Sequence, residues 1–225
     1  MRNDPKRIVA AGYDLIARRY LEWSDRDPSP QRMHYLRRLL ELLPAGAELL
    51  ELGCGAGVPI TQALAAKCRV TGVDISTTQI ALAREHVPEA VLIQADMTAL
   101  DFPPASFDAV VGFYTLTHVP REEHAALLGR IAEWLRPGGL LFATMGAGDE
   151  PGSVEPDWLG APMFWSHFDA ETNCELVRQA GLALLDAEVV AEDEDGQPVQ
   201  FLWVIARKLI GSAAPAVFPP RSAPM

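Results

Sequence analysis

The stretch LLELGCGAGVP at residues 49–59 joins an apolar run of strand length to three glycines at alternate positions. Glycine tolerates backbone angles that other residues avoid, so such a turn lets the main chain approach closely whatever lies beyond the end of the strand. A helical pattern follows from Thr61 to Lys67, and then a second apolar run, CRVTGVD, which closes on Asp74. Strand, glycine turn, helix, strand and acid, with the acid roughly 20 residues beyond the first glycine, is the order of a nucleoside site on a parallel sheet. Helix N–H groups face the ligand, and the carboxylate accepts hydrogen bonds from the two ribose hydroxyls.

A dinucleotide turn usually has its third glycine three places after the second, opening a helix that receives the pyrophosphate. Here Gly53, Gly55 and Gly57 alternate and are followed by Val58 and Pro59. The closer spacing suits a nucleoside that has no pyrophosphate and carries an amino-acid tail along the turn, a description that S-adenosylmethionine meets.

The flanking segments extend the alternation. PKRIVAAGYDLIARRYLEW carries apolar residues at helical spacing, and SPQRMHYLRRLLELLP starts a second helix with Ser29 as N-cap and Pro30 at its first position. After the turn, AVLIQAD, FDAVVGFY and GLLFATMG are short apolar runs suited to buried strands. Ser76 and Gln79 predict a capping box for the helix before the third strand, and Pro137-Gly138-Gly139 a stop for the helix after the fourth. Such alternation predicts a parallel sheet with helices on both faces. GAGDEPGSVEPDWLGAPMFWSH reads as a loop over a site, because linkers seldom carry Trp158, Phe164 and Trp165 together. Asp169 caps a helix running to Gly181, and two final strands flank a hairpin signal at Asp195-Gly196.

Composition narrows the partners. The net charge of −11 argues against binding by phosphate neutralisation, so nucleic acid is an unexpected substrate. Cys54, Cys68 and Cys174 are scattered and odd in number, without the spacing of a zinc site or a disulfide framework. They suit a reducing compartment. With no signal-type stretch and no apolar run near the roughly 18 residues of a membrane span, the expected location is cytoplasmic, without a membrane anchor. The expected state is a monomer or homodimer.

Five segments taken together, LLELGCGAG, VTGVDIS, IQADMTAL, FDAVVGFYTLTHV and LRPGGLLFATM, resemble the successive motifs of class I S-adenosylmethionine-dependent methyltransferases. The nearest branch is the small-molecule, ubiquinone-methyltransferase-like enzymes. The resemblance covers residues 47–146 and implies a Rossmann-like three-layer αβα sandwich. Its seven-stranded sheet is mostly parallel with the last strand antiparallel. It implies an N-terminal helical cap over 1–46, a catalytic domain over 47–210 with a substrate-side loop at 146–168, and a tail over 211–225 whose Ala, Pro and Ser predict disorder.

Carried over by position, the resemblance puts Gly53, Gly55 and Gly57 beneath the methionine part and Asp74 on the ribose. Asp96 meets the adenine amine, Ile75 and Met97 sandwich the ring, and Phe113 and Tyr20 complete the cofactor wall. Methyl transfer needs an aligned nucleophile, excluded water and often a base. His118, just after the fourth strand, is the first candidate base; related enzymes often carry a histidine here. His167 is the second candidate, and Tyr114 stands with them. Tyr13, Trp23, Trp158 and Trp165 are expected around the acceptor as an aromatic enclosure. His34, His86 and His124 fall in helices and read as surface residues. The fourth strand lacks the Asn/Asp-Pro-Pro-Tyr element of nucleic-acid amino methylation and the carboxylates with which catechol-type enzymes hold magnesium, so no metal is expected. The expected function is methyl transfer to a small, aromatic or heteroaromatic acceptor. The rivals are an S-adenosylmethionine-dependent cyclase or decarboxylase, a nicotinamide-dependent reductase, disfavoured by the glycine spacing, and an adenosyl-ligand sensor.

Overall fold

The structure is a computed structural model that describes residues 4–26, 29–194 and 196–210. Helix α1 (Pro5–Arg26) opens where the Asp4 carboxylate accepts the Lys6 backbone N–H at 3.1 Å. Helix α2 (Pro30–Leu42) begins as the sequence predicts, with the Ser29 hydroxyl accepting the Arg32 N–H at 3.1 Å. The chain then alternates: β1 (Glu48–Leu52), α3 (Ile60–Ala65), β2 (Arg69–Asp74), α4 (Thr77–His86), β3 (Val91–Gln94), β4 (Phe107–Gly112), α5 (His124–Trp134) and β5 (Leu135–Gly146). It continues through β6 (Glu150–Trp158), β7 (Ala161–His167), α6 (Ala170–Gln179), β8 (Leu182–Glu194) and β9 (Gln197–Lys208).

Seven strands form one sheet in the order β3-β2-β1-β4-β5-β9-β8. β1 to β5 pair in parallel, while β9 runs antiparallel to both β5 and β8. The expected mostly parallel sheet with a reversed last strand is therefore present. Successive residues of the central strands face opposite layers, so Leu50, Val110 and Leu141 pack with Leu127, Leu128 and Ile131 of α5 and Val177 of α6. On the other face Leu49, Val111 and Phe142 meet Tyr35, Leu36 and Leu39 of α2 and Leu64 of α3. Tyr35 stacks on Trp203 of β9 at 4.6 Å.

Four sequence expectations are corrected by the structure. The segment over 146–168 is not a loop: β6 and β7 pair antiparallel as a separate two-stranded sheet. Met163 and Phe164 of β7 bury against Val9 and Ile16 of α1, and register shifts between Glu150 and Ser153 and between Glu155 and Trp158 absorb the irregular stretches. Within the 1–46 segment only α1 lies outside the sheet layers, since α2 covers a sheet face. The Pro137-Gly138-Gly139 stop lies inside β5, because α5 already ends at Trp134. The Ser76 capping box is half made: the Ser76 hydroxyl accepts the Gln79 N–H at 3.0 Å, but the Gln79 amide returns no bond. Asp195 of the hairpin signal and the tail over 211–225 lie outside the described residues.

Chain order reverses between β1 and β4: β2 lies on one side of β1, and β4 on the other. Loops leaving the carboxyl ends of these strands diverge and open a crevice there. α1 and β7 lie over that edge, with the helix so close that a Cβ added to Gly12 would come within 2.7 Å of the Pro162 carbonyl oxygen.

Candidate active site

The glycine turn is built as its sequence predicts. Gly53 and Cys54 both donate to the Val73 carbonyl, at 2.7 and 3.0 Å, so the turn is tied to the end of β2. Gly53 has φ +71°, and a Cβ there would fall 2.3 Å from the Thr115 hydroxyl oxygen; only glycine fits. Asp74 accepts the Gly55 N–H on one carboxylate oxygen and the Ser76 N–H on the other, both at 2.9 Å. Burial raises its pKa to about 6 against the pull of those bonds. Each oxygen keeps a further acceptor position for a ligand.

A cavity opens over this turn, walled by Gly53, Gly55, Asp74, Ile75, Asp96, Met97 and Phe113, with Tyr20 from α1. These cofactor candidates are thus brought together. Gly57 is the exception, lining none of the cavities at this edge; its φ of +83° lets the chain pass α4, where a Cβ would sit 3.1 Å from Val87.

Three further residues of this wall have no signal in the turn motif. Lys6 of α1 reaches Asp96 at 2.9 Å and Glu123 at 2.7 Å. Burial pushes the Asp96 pKa up, but the Lys6 bond and the Thr98 N–H outweigh it and hold the carboxyl below its ordinary range. Thr115 fills the space beside Gly53. The fully buried Gln79 lines the same cavity with neither amide atom partnered among the described residues, one donor and one acceptor suited to a polar ligand. Glu51, also buried, lines a small neighbouring space under the turn and has its pKa raised to about 8 by loss of water. The motif string contains Glu51, and an acid inside an otherwise apolar strand was the available signal.

A second, larger cavity of about 630 Å³ lies on the far side of Tyr13, Tyr20, Tyr114 and His118, which line both spaces. Trp23, Trp158 and Trp165 belong to its wall. Tyr20 stacks with Trp23 at 5.9 Å between centroids, Trp158 stands 5.7 Å from Tyr20, and Trp165 lies 5.4 Å from Trp158 and 4.5 Å from the His118 ring. The expected aromatic enclosure is assembled, from α1 on one side and the β6–β7 sheet on the other.

His118 sits in a single-turn helix after β4, 7% exposed. Its Nδ1 lies 2.9 Å from the Phe164 carbonyl, which can only accept, so Nδ1 carries the proton. Nε2 is then a bare acceptor, 2.9 Å from the Tyr13 hydroxyl, which donates to it. Burial lowers the His118 pKa to about 4, with the Phe164 bond opposing, so the ring is neutral near pH 7.

The other two catalytic candidates are placed differently. Tyr114, at φ +55°, donates its hydroxyl to Glu192 at 2.6 Å, with Ser29 at 2.7 Å. Burial and the neighbouring Glu192 push its phenol up, so it offers no phenolate for proton removal. His167 lines neither cavity; its ring packs over Gly146 and Nδ1 meets the Gly148 carbonyl at 2.8 Å. Among the three histidines expected on the surface, His34 is exposed and His86 half-buried, while His124 is 1% exposed with Nε2 3.0 Å from the Val119 carbonyl. Its helical spacing with Leu127, Leu128 and Ile131 was the signal for burial. No helix among the described residues is long and apolar enough to cross a membrane.

Residues 49–139 match a family profile described as a methyltransferase domain. A ubiquinone biosynthesis O-methyltransferase of Xylella fastidiosa (strain 9a5c) is 30% identical over 162 residues, 60% of this chain and 64% of that protein. The 27-O-demethylrifamycin SV methyltransferase of Amycolatopsis mediterranei is 36% identical over 166 residues, 70% of this chain and 54% of that protein. The chain thus spans between about half and two thirds of the length of these relatives. Among solved structures, the [4+2]-cyclase SpnF superposes with a TM-score of 0.70 at 20% identity, covering 90% of this chain and 95% of that one. The N-methyltransferase NodS of Bradyrhizobium japonicum, solved with S-adenosylhomocysteine, gives 0.66 at 20% identity, with coverage of 88% and 98%.

Proposed function

We propose that the chain is a class I S-adenosylmethionine-dependent methyltransferase of the small-molecule branch and that it methylates a small aromatic or heteroaromatic acceptor. The observation that carries this reading is the shared wall of Tyr13, Tyr20, Tyr114 and His118, which separates the cavity over the glycine turn from a larger aromatic one. The residues around the glycine turn suit the donor: Asp74 has acceptor capacity for ribose hydroxyls, Asp96 and the Met97 backbone for adenine, and Gln79 and Glu51 have atoms with no partner among the described residues. When bound, S-adenosylmethionine supplies an electrophilic methyl on a positively charged sulfur.

The protein's part is to hold the acceptor against the shared wall, keep water out and receive a proton. His118 is the base in this reading, acting through Tyr13: the acceptor proton passes to the Tyr13 oxygen as the Tyr13 proton moves to Nε2. A hydroxyl oxygen that gains a methyl becomes strongly acidic, so a base as weak as this still takes its proton. The aromatic-lined cavity and the charge of −11 favour a small molecule over nucleic acid, and the unpaired cysteines favour the cytoplasm.

Calorimetric titration with S-adenosylmethionine and S-adenosylhomocysteine, beside NADH and ATP, tests the donor: micromolar binding of the adenosyl pair alone is expected. Absence of such binding sinks the reading. A second reading, cyclisation with the same cofactor, is favoured by the superposition on SpnF. Release of one S-adenosylhomocysteine per product turned over eliminates it.

A further inference from the structure

We propose that the acceptor carries a positive charge, an ammonium or related nitrogen cation held away from its reacting atom, which seats at the acidic end of the larger cavity. The inference rests on the methyl-transfer reading and adds the charge of the acceptor to it. Glu192, Asp193 and Glu194 at the end of β8 line this cavity, and among the described residues of its wall Arg32 is the one cationic side chain they face. Arg32 is itself placed 5.9 Å from the Tyr114 ring centroid. His118 adds no positive charge, being neutral near pH 7.

Glu192 is prepared rather than merely present. One carboxylate oxygen takes the Tyr114 and Ser29 hydroxyls, at 2.6 and 2.5 Å, and the other takes the Trp203 indole N–H at 3.0 Å. Three donors fix its position, and the second oxygen retains one acceptor site. A ligand N–H can fill that site without reorganising the carboxylate.

Two further features point the same way. Tyr20, Trp23, Trp158 and Trp165 line the same space, and ring faces attract cations. Thr117, 2% exposed and in the same wall, has a hydroxyl with no partner among the described residues, an acceptor open to a ligand donor. An anionic acceptor would instead meet three carboxylates.

The test uses protein saturated with S-adenosylhomocysteine and three probes of one shape: 2-phenylethylamine, 2-phenylethanol and 3-phenylpropionate. Calorimetry should give the ammonium probe about tenfold or more tighter binding than the alcohol, and the carboxylate the weakest. Raising the salt should narrow the difference. Glu192→Gln and Glu194→Gln should each shrink the ammonium preference several-fold, with the fold checked by melting temperature. Equal affinity of amine and alcohol, tighter binding of the carboxylate, or no binding of the amine overturns the proposal while leaving the donor reading intact. Failure of S-adenosylhomocysteine to bind overturns the methyl-transfer reading itself.

Discussion

Acidification should destabilise this protein through His118, and the size of the effect follows from its surroundings. In the unfolded chain the ring titrates at the ordinary histidine value of about 6.5, whereas burial lowers it to about 4 in the fold. Between those values the unfolded chain binds the proton and the native one refuses it. His118 therefore supports stability fully above pH 6.5 and loses that support as pH falls towards 4. Each tenfold difference in proton affinity between the two states is worth about 1.4 kcal/mol, which gives a loss of about 2 kcal/mol by pH 5 and about 3 kcal/mol below pH 4. Other groups also titrate. His124 is lowered by burial and adds to the slope, while Glu51, raised by burial to about 8, gives stability that is lost as pH rises from 4.5 to 8. The share of His118 is isolated by urea unfolding of the native protein beside His118→Gln at pH 7.5, 6.5, 5.5 and 4.5. Glutamine can donate to Phe164 and accept from Tyr13, so it keeps both bonds without the titration. The stability gap should close by about 2 kcal/mol towards pH 5. A gap independent of pH would show that His118 is not buried as a neutral acceptor of the Tyr13 hydroxyl, and the proton path through Tyr13 would fall with it.

Two substitutions probe the donor side. Gly53→Ala forces a left-handed alanine against Thr115, and should lower stability by about 2–4 kcal/mol and weaken S-adenosylhomocysteine binding at least tenfold, as read by thermal melts and calorimetry. Lys6→Met cuts the bridges from α1 to Asp96 and Glu123; being partly exposed, they should cost only about 0.5–1 kcal/mol in unfolding, yet limited trypsin digestion at Arg18 and Arg19 should quicken.

What the sequence disclosed and what it hid divide by distance along the chain. The turn at Gly53, the acid at Asp74 and the strand periodicity are local features, and each is visible within about 20 residues. The pairs that shape the site are not: Lys6 meets Asp96, Tyr13 meets His118 and Ser29 meets Tyr114 across 85 to 105 positions, and no pattern in the string marks them. β6 and β7 were hidden for another reason. Their glycines and prolines read as loop signals, and their shifted register leaves no strict alternation. What holds them is the apolar face of Met163 and Phe164 beneath α1, a tertiary contact.

β8 is an outer strand of the main sheet, its far side unpaired by any strand among the described residues. Asp186, Glu188, Glu192, Asp193 and Glu194 punctuate that strand. Two copies brought edge to edge along β8 would align these acids against one another, so the charge guards the sheet against growing from molecule to molecule. Carboxylates that line the crevice thus belong to the same strand whose charge opposes edge-to-edge pairing.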